Sequence, residues 1–279
     1  MTTTYDWRGD IGDAWAEEWR RTDRSLAPVN DALVAAAATA CAGAAARILD
    51  IGCGAGSTSF ALADAFADAQ ITGVDLSPAL IAVARERARD RTRLRFETGD
   101  AASWAPPEAG FDLLVSRHGI MFFDDPVGAF SHLNALARPG AQLVFSCFRE
   151  RAENEWLGAI RPAFERFAPE SLAAPEPETG PFAFADPKRI ESILTQAGFG
   201  APRIEALDFD FTFGDDNDPI ADALGYFRRI GPVAAMLKTL DPADSEQAID
   251  MIGAIAAGHR RAGEVAFGAA AWIVTSSRP

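Results

Sequence analysis

The chain has 279 residues, 48% of them hydrophobic, enough for one large α/β domain or a core domain with inserts and too much for a short peptide-binding module. A formal charge of −14 repels a phosphate backbone, and the 26 Lys and Arg form no concentrated block, so nucleic acid is a poor partner. Cys41, Cys53 and Cys147 lack CxxC spacing and an adjacent His pair, which argues against a zinc site or a disulfide framework and fits a reducing cytoplasm. The chain start shows no basic-then-apolar signal, and no run reaches the ~18 apolar residues of a membrane span, so no membrane association is expected.

In chain order, Trp15 and Trp19 stand four residues apart, which predicts one helix face carrying two large aromatics, as a lid or as a core stripe. The alanine-rich run from Ala32 to Ala46 predicts a helix, since alanine has the best helix propensity. From Arg47 to Cys147, β-rich runs beginning at Ile48, Gln70, Leu94, Phe111 and Gln142 alternate with helical patterns, which reads as βαβ units around a parallel sheet. Ser77-Pro78 opens one helix with an N-cap and a first-turn proline. Arg138-Pro139-Gly140 closes another, whose Val127, Phe130, Leu133 and Leu136 form a stripe facing the sheet. The segment Arg149 to Pro187, rich in Pro, Ala and Glu, retains Trp156, Phe164, Phe167, Phe182 and Phe184 and reads as an insert folded on the core. Lys188 to Ala197 is expected to be helical and Ile204 to Phe213 and Glu264 to Ser276 to be strands. Pro219 to Arg261 between those strands is too long for a hairpin loop.

In Asp50-Ile51-Gly52-Cys53-Gly54-Ala55-Gly56 a strand ends on glycines that permit positive φ and close ligand approach, and the amides of a helix beginning at Ser57 point back at the turn. Such a turn can hold a cofactor. A dinucleotide fingerprint needs GxGxxG, but Ser57 stands three after Gly54, so pyrophosphate is disfavoured without being excluded. No Gly-Lys-Ser/Thr follows, which removes a P-loop. Asp75, 19 residues after Gly56 at the next strand end, is placed to accept two ribose hydroxyls. Its structural alternative is to cap the helix after Pro78, although Ser77 is better placed for that. Asp100 in Gly99-Asp100 has plain turn chemistry as its alternative. Cys53, with nothing basic beside it, reads as a small side chain in a tight turn rather than a reactive thiol.

Together, Leu49 to Gly56, Gly73-Val74-Asp75-Leu76-Ser77 and Gly99-Asp100-Ala101 resemble, in order, the motifs of the class I S-adenosylmethionine (SAM) dependent methyltransferases. The likeness extends through Phe111 to Ser116, Leu136 to Ala141, Phe182 to Pro187 and Ala197-Gly198-Phe199, and covers about residues 45 to 200. It is greatest toward the small-molecule branch that includes ubiquinone and menaquinone biosynthesis C-methyltransferases. Ala141 departs from the pattern where a second glycine is frequent. The resemblance implies an α/β, Rossmann-like, seven-stranded, mostly parallel sheet with an antiparallel last strand, helices on both faces and helical inserts as a cap. It implies a single catalytic domain over 1–279: an N-terminal helical lid (1–45), a SAM-binding core (46–148), cap inserts (149–187 and 214–262) and the rest of the core (188–213 and 263–279). It further implies that Asp50, Gly52 and Gly54, with Cys53 in their turn, approach the methionine part of SAM, and that Ser116 lies beside it. Asp75 would hold the ribose, Leu76 would pack on the adenine, Asp100 would accept from the adenine amino group, and Ala101 would offer its amide to the ring. The product would be S-adenosylhomocysteine.

Methyl transfer from a sulfonium is an in-line displacement that the protein serves by alignment and desolvation. Where the acceptor is a hydroxyl or an acidic carbon a base helps, and His118, at the carboxyl end of the fourth strand, is the first candidate. Its alternatives are a hydrogen-bonded pocket histidine and one turned away. Arg117 either orients an anionic or carbonyl group of the substrate or pairs with an acid; His132 and His259 read as surface residues. Asp124-Asp125-Pro126 invites a metal, but Asp125 as the cap of a helix from Pro126 explains it better, and no metal is expected. Ser116-Arg117-His118-Gly119 is unlike the Asn/Asp-Pro-Pro-aromatic loop of enzymes that methylate nucleic-acid bases. Trp15, Trp19, Trp156, Tyr226 and Phe227, with Met236, are the candidate lid and acceptor chamber. The expectation is methyl transfer to an O, C or N atom of a small apolar or aromatic acceptor, by a monomer or homodimer. An NAD(P)-dependent oxidoreductase and a non-catalytic SAM-binding protein are the competing readings.

Overall fold

A computed structural model describes residues 6–173 and 179–279; the chain start read for a targeting signal, and the centre of the first insert, lie outside the described residues. Three helices, α1 (Asp10–Glu17), α2 (Trp19–Ser25) and α3 (Ala27–Ala40), precede β1 (Arg47–Ile51). Alternation follows through α4 (Ser57–Ala65), β2 (Gln70–Asp75), α5 (Pro78–Arg87), β3 (Leu94–Thr98), β4 (Phe111–Arg117), α6 (Pro126–Leu136) and β5 (Ala137–Phe148). Next come α7 (Glu155–Phe167), α8 (Pro169–Ala173), α9 (Pro187–Gln196), β6 (Arg203–Gly214), α10 (Pro219–Phe227), α11 (Gly231–Leu237), α12 (Pro242–Gly258), β7 (Arg260–Arg261) and β8 (Glu264–Ser277).

The strands form one sheet in the order β3-β2-β1-β4-β5-β8-β6, with β7 paired to β8 off this path. β1 to β5 pair in parallel, and β8 runs antiparallel to both β5 and β6. The seven expected strands make the main path; the short β7 is an eighth, turned by Ala262 and Gly263, both at positive φ. β4 is buried along all but its last residue, as a central strand covered by helices on both faces must be. On one face Phe130 of α6 is fully buried among Phe123, Phe145, Phe184 and Phe199, with ring centroids 5.7–6.3 Å away. Leu33, Leu62 and Ile71 fill a second cluster built by α3, α4 and β2.

Three local expectations shift. The helix predicted over Ala32 to Ala46 begins at Ala27 and stops at Ala40, because Ala42 and Gly43 turn left-handed, with φ of 48° and 72°. The helix expected to carry both Trp15 and Trp19 is interrupted at Glu18, so the two indoles sit on α1 and α2. α6 ends at Leu136, ahead of Arg138-Pro139-Gly140: Ala137 already pairs with Phe111 in the sheet, and the residue before a proline avoids helical angles.

Phe130→Ala is expected to lower the unfolding free energy by ~3–5 kcal/mol, the usual cost of emptying a core phenylalanine site. Urea unfolding followed by circular dichroism checks this; an unchanged midpoint would mean that Phe130 does not hold the α6 side of the sheet.

Candidate functional site

After β3 the chain returns across the sheet to lay β4 on the other side of β1, so the turns leaving β1 and β4 diverge and open a crevice at their carboxyl ends. A cavity of about 700 Å³ occupies it, within the range of pockets for drug-sized ligands (~300–1,000 Å³). Its floor is Gly52, Cys53, Gly54, Asp75, Leu76, Asp100, Ala101, Arg117 and His118; Trp15 and Trp19 line it from the N-terminal helices, and Trp156, Tyr226 and Phe227 from the inserts. The predicted Asp50 and Ser116 lie behind this wall, and Met236 is buried in α11 away from it.

The glycine turn is shaped from both sides. Gly54 has a φ of 54° and a side chain added there would meet nothing within 4 Å, so bare backbone faces the cavity. A Cβ on Gly52 would stand 3.0 Å from the Gly119 Cα, so the turns after β1 and β4 touch. Ser116 joins them from below: its hydroxyl donates to the Ile51 carbonyl at 2.7 Å and accepts the Gly119 N–H at 3.2 Å. Asp75 accepts the Gly54 N–H on one oxygen and the Ser77 N–H on the other, both at 2.8 Å. Burial raises its pKa while the two N–H bonds oppose the rise, and each oxygen keeps a lone pair for a ligand hydroxyl. The Ser77 hydroxyl accepts from Leu80 N–H at 3.2 Å, so the cap belongs to Ser77. Asp100 accepts the Ala102 N–H at 3.0 Å; turn chemistry and a place on the cavity wall coexist there.

Asp50 is 1% exposed; Ser59 donates to one oxygen at 2.6 Å and the other has no partner among the described residues. Burial pushes its pKa up to about 6, against the Ser59 hydrogen bond and the Arg117 charge. A buried carboxylate oxygen left this way favours a cationic ligand group close by. Burial also raises the Cys53 thiol well above its usual range, which keeps it protonated and inert.

His118 sits at a left-handed φ of 61°, a strained position for a side-chain-bearing residue, held by its N–H to the Ser146 carbonyl at 3.1 Å and by Nδ1 against the Ser146 hydroxyl at 2.8 Å. Burial, then the adjacent Arg117 charge, pushes its pKa down to about 3, and its Nε2 has no partner among the described residues. Arg117 Nη2 donates to Asp23 at 3.2 Å; the other Asp23 oxygen takes Arg87 at 3.0 Å, and Arg117 Nη1 is left unpartnered. His132 and His259 are half-buried rather than surface residues: His132 Nε2 lies 2.8 Å from the Trp104 carbonyl, and His259 stacks on Phe267. Asp125 caps α6 through the Gly128 N–H at 2.9 Å.

The N-terminal helices are clasped over the cavity by charge. Arg21 bridges Glu18 and Asp222, and Arg24 bridges Asp215 and Asp222, at 2.5–2.9 Å; the Thr22 and Tyr226 hydroxyls meet at 3.1 Å. Sequence reasoning missed Asp23, Phe148, Phe211 and Phe213, all on the wall. The alternation Phe209, Phe211, Phe213 marks a buried strand face. That this face ends at the cavity follows only from the pairing of β6 with β8 across an insert.

Residues 48–140 match a family model described as a methyltransferase domain. The chain is 31% identical over 133 residues to malonyl-(acyl-carrier protein) O-methyltransferase of Paenibacillus sp. (strain JDR-2), covering 46% of each. It is 29% identical over 149 residues to demethylmenaquinone methyltransferase of Deinococcus radiodurans, covering 50% of this chain and 61% of the relative. It therefore spans about half the length of the curated relatives it matches. Its fold is that of Haemonchus contortus phosphoethanolamine N-methyltransferase 2, solved in complex with SAM, with a TM-score of 0.55 at 18% identity over 96% of this chain and 57% of that one.

An imidazole depressed to about 3 in the folded chain and near 6.5 when unfolded stays neutral at physiological pH. Its stabilising contribution is complete above about 6.5 and is lost as pH falls toward 3. The His118 ring resonances in NMR are expected to stay fixed between pH 5 and 8; titration with a midpoint near 6.5 would contradict the buried placement.

Proposed function

We propose that the chain, whose residues 48–140 match a family model of methyltransferase domains, is a SAM-dependent methyltransferase acting on a small, apolar acceptor. The observation that carries this reading is one continuous cavity with a polar end around Asp75 and Asp100 and an aromatic end around Trp156 and Phe227. When bound, SAM supplies a methyl group already activated by a sulfonium. The residues at the polar end fit it. Asp75 has lone pairs for two ribose hydroxyls, Gly54 leaves room against the backbone, and the unpartnered Asp50 oxygen suits the methionyl ammonium from behind the turn. Leu76 and Ala101 would flank the adenine and Asp100 its amino group; Ser116 acts indirectly, by fixing the turns that Gly52 and Gly119 form. NAD(P) remains the competing ligand, and the break in its glycine spacing at Ser57 tells against it.

Arg117 and His118 stand where the acceptor would meet the methyl group. His118 is too weak a base to draw a proton from an ordinary hydroxyl, so we assign it to positioning through Nε2, with Arg117 supplying positive charge. The lid of residues 1–45 and the inserts at 149–187 and 214–262 exclude water around them, as parts of a single catalytic domain. The free cysteines Cys41, Cys53 and Cys147 fit a reducing cytoplasm, where we place the protein, and the formal charge of −14 favours a small-molecule acceptor over nucleic acid as its partner.

Asp75→Ala is expected to weaken SAM binding at least ~10-fold, about the loss of one charge-assisted hydrogen bond, in calorimetric titration. Unchanged affinity, or tight binding of NADH by the wild type, would overturn the cofactor assignment. Asp50→Asn should also weaken SAM while making the free protein more stable at pH 8. Asp50 has a raised folded pKa, so its stabilising contribution is complete below about 4 and is lost as pH rises through 6; the gain should vanish toward pH 4.

A further inference from the structure

The wall at the aromatic end has an uneven set of polar groups. Thr22 and Tyr226 satisfy each other, and Asp23 is shared between Arg87 and Arg117. Among the described residues, three groups on the wall have no partner: Arg117 Nη1, Trp156 Nε1 and His118 Nε2. The first two can only donate, and the third donates whenever the Ser146 hydroxyl donates to Nδ1. Two arginines share one aspartate here, which leaves the Arg117 guanidinium only partly paired beside an apolar chamber that includes Phe211, Phe213 and Phe227. Buried donors without acceptors select a ligand group that is all acceptor, and a planar guanidinium matches a carboxylate best.

We infer that the acceptor is an apolar, ring-containing carboxylic acid, with its carboxylate at Arg117 and Trp156 and its body among Phe211, Phe213 and Phe227; this rests on the methyltransferase reading above. A carboxylate is ionised at neutral pH and needs no base, which agrees with a His118 that stays neutral. A carboxylate oxygen forms the new bond to the methyl carbon as the carbon–sulfur bond breaks with its pair going to sulfur. One positive and one negative charge disappear, no proton moves, and the products are a neutral methyl ester and a neutral thioether. Loss of opposite charges is favoured where the dielectric is low, and the ester no longer holds Arg117.

The test uses the full chain saturated with S-adenosylhomocysteine and compares 2-naphthoic acid, 2-naphthamide and 2-naphthol by calorimetry. The acid is expected to bind at least ~10-fold more tightly than the amide or the naphthol, as for a charge-assisted hydrogen bond. Arg117→Gln should erase that preference while leaving the S-adenosylhomocysteine affinity within about twofold, and Trp156→Phe should weaken binding of the acid about tenfold, the loss of one charge-assisted hydrogen bond. With SAM, mass spectrometry should find the methyl ester of the acid. An acid that binds no better than its amide, a methylated naphthol, or an Arg117→Gln variant that loses S-adenosylhomocysteine would overturn the inference. Failure of the wild type to bind S-adenosylhomocysteine would instead sink the methyltransferase reading itself.

Discussion

Two backbone N–H groups that close on one carboxylate hold the site together. Asp75 ends β2, and by accepting from Gly54 and Ser77 it ties the turn after β1 to the start of α5. A carboxylate that accepts N–H groups on both oxygens cannot swing, so its remaining lone pairs keep fixed directions. The Gly54 turn then leaves its bare backbone toward the cavity, and Ser77 is left free to cap α5, against which α1 packs. The N-terminal helices therefore rest on an element whose first turn is set by the same aspartate that lines the cavity.

The electrostatics of the cavity run against stability. Asp50 is buried with one oxygen unmatched, His118 is buried neutral at a left-handed backbone position, and Arg117 keeps an unpaired nitrogen beside the shared Asp23. An unsatisfied buried group costs ~1–3 kcal/mol, so a cluster of them is retained only where something offsets the cost. A ligand that supplies a cation near Asp50 and an anion near Arg117 would relieve both. The ion pairs between α2 and α10 keep that arrangement covered, and the hydroxyl contact between Thr22 and Tyr226 lies within the same closure.

Much of the core was legible because its signals are local. The order of β-rich runs and helical stripes led to the parallel sheet; Ser77-Pro78 and Asp125-Pro126 marked helix starts that the structure bears out. The cavity floor was legible for the same reason: Gly52, Gly54, Asp75, Asp100, Arg117 and His118 all sit at strand ends, and strand ends can be counted along the chain. The misreadings lay where neighbours distant in sequence decide. Nothing near Trp15 or Trp19 announces the break at Glu18, whose carboxylate is drawn to Arg21 and Arg229. His132 and His259 looked exposed because the Trp104 carbonyl and the Phe267 ring that cover them come from other segments.

The glycine turn and the acids that follow it were determined by sequence alone, because strand, turn and helix are contiguous and the spacing between them has few structural solutions. The aromatic end of the cavity was decided only by the tertiary structure. Phe211 and Phe213 reach it because β8 returns after a long insert to pair with β6, and Asp23 reaches Arg117 because α2 is laid across the cavity. The ionisation of its groups belongs to the tertiary structure too: a histidine beside an arginine reads the same in any sequence, and only burial, joined at His118 by the Arg117 charge and opposed by it at Asp50, makes His118 neutral and Asp50 reluctant to ionise.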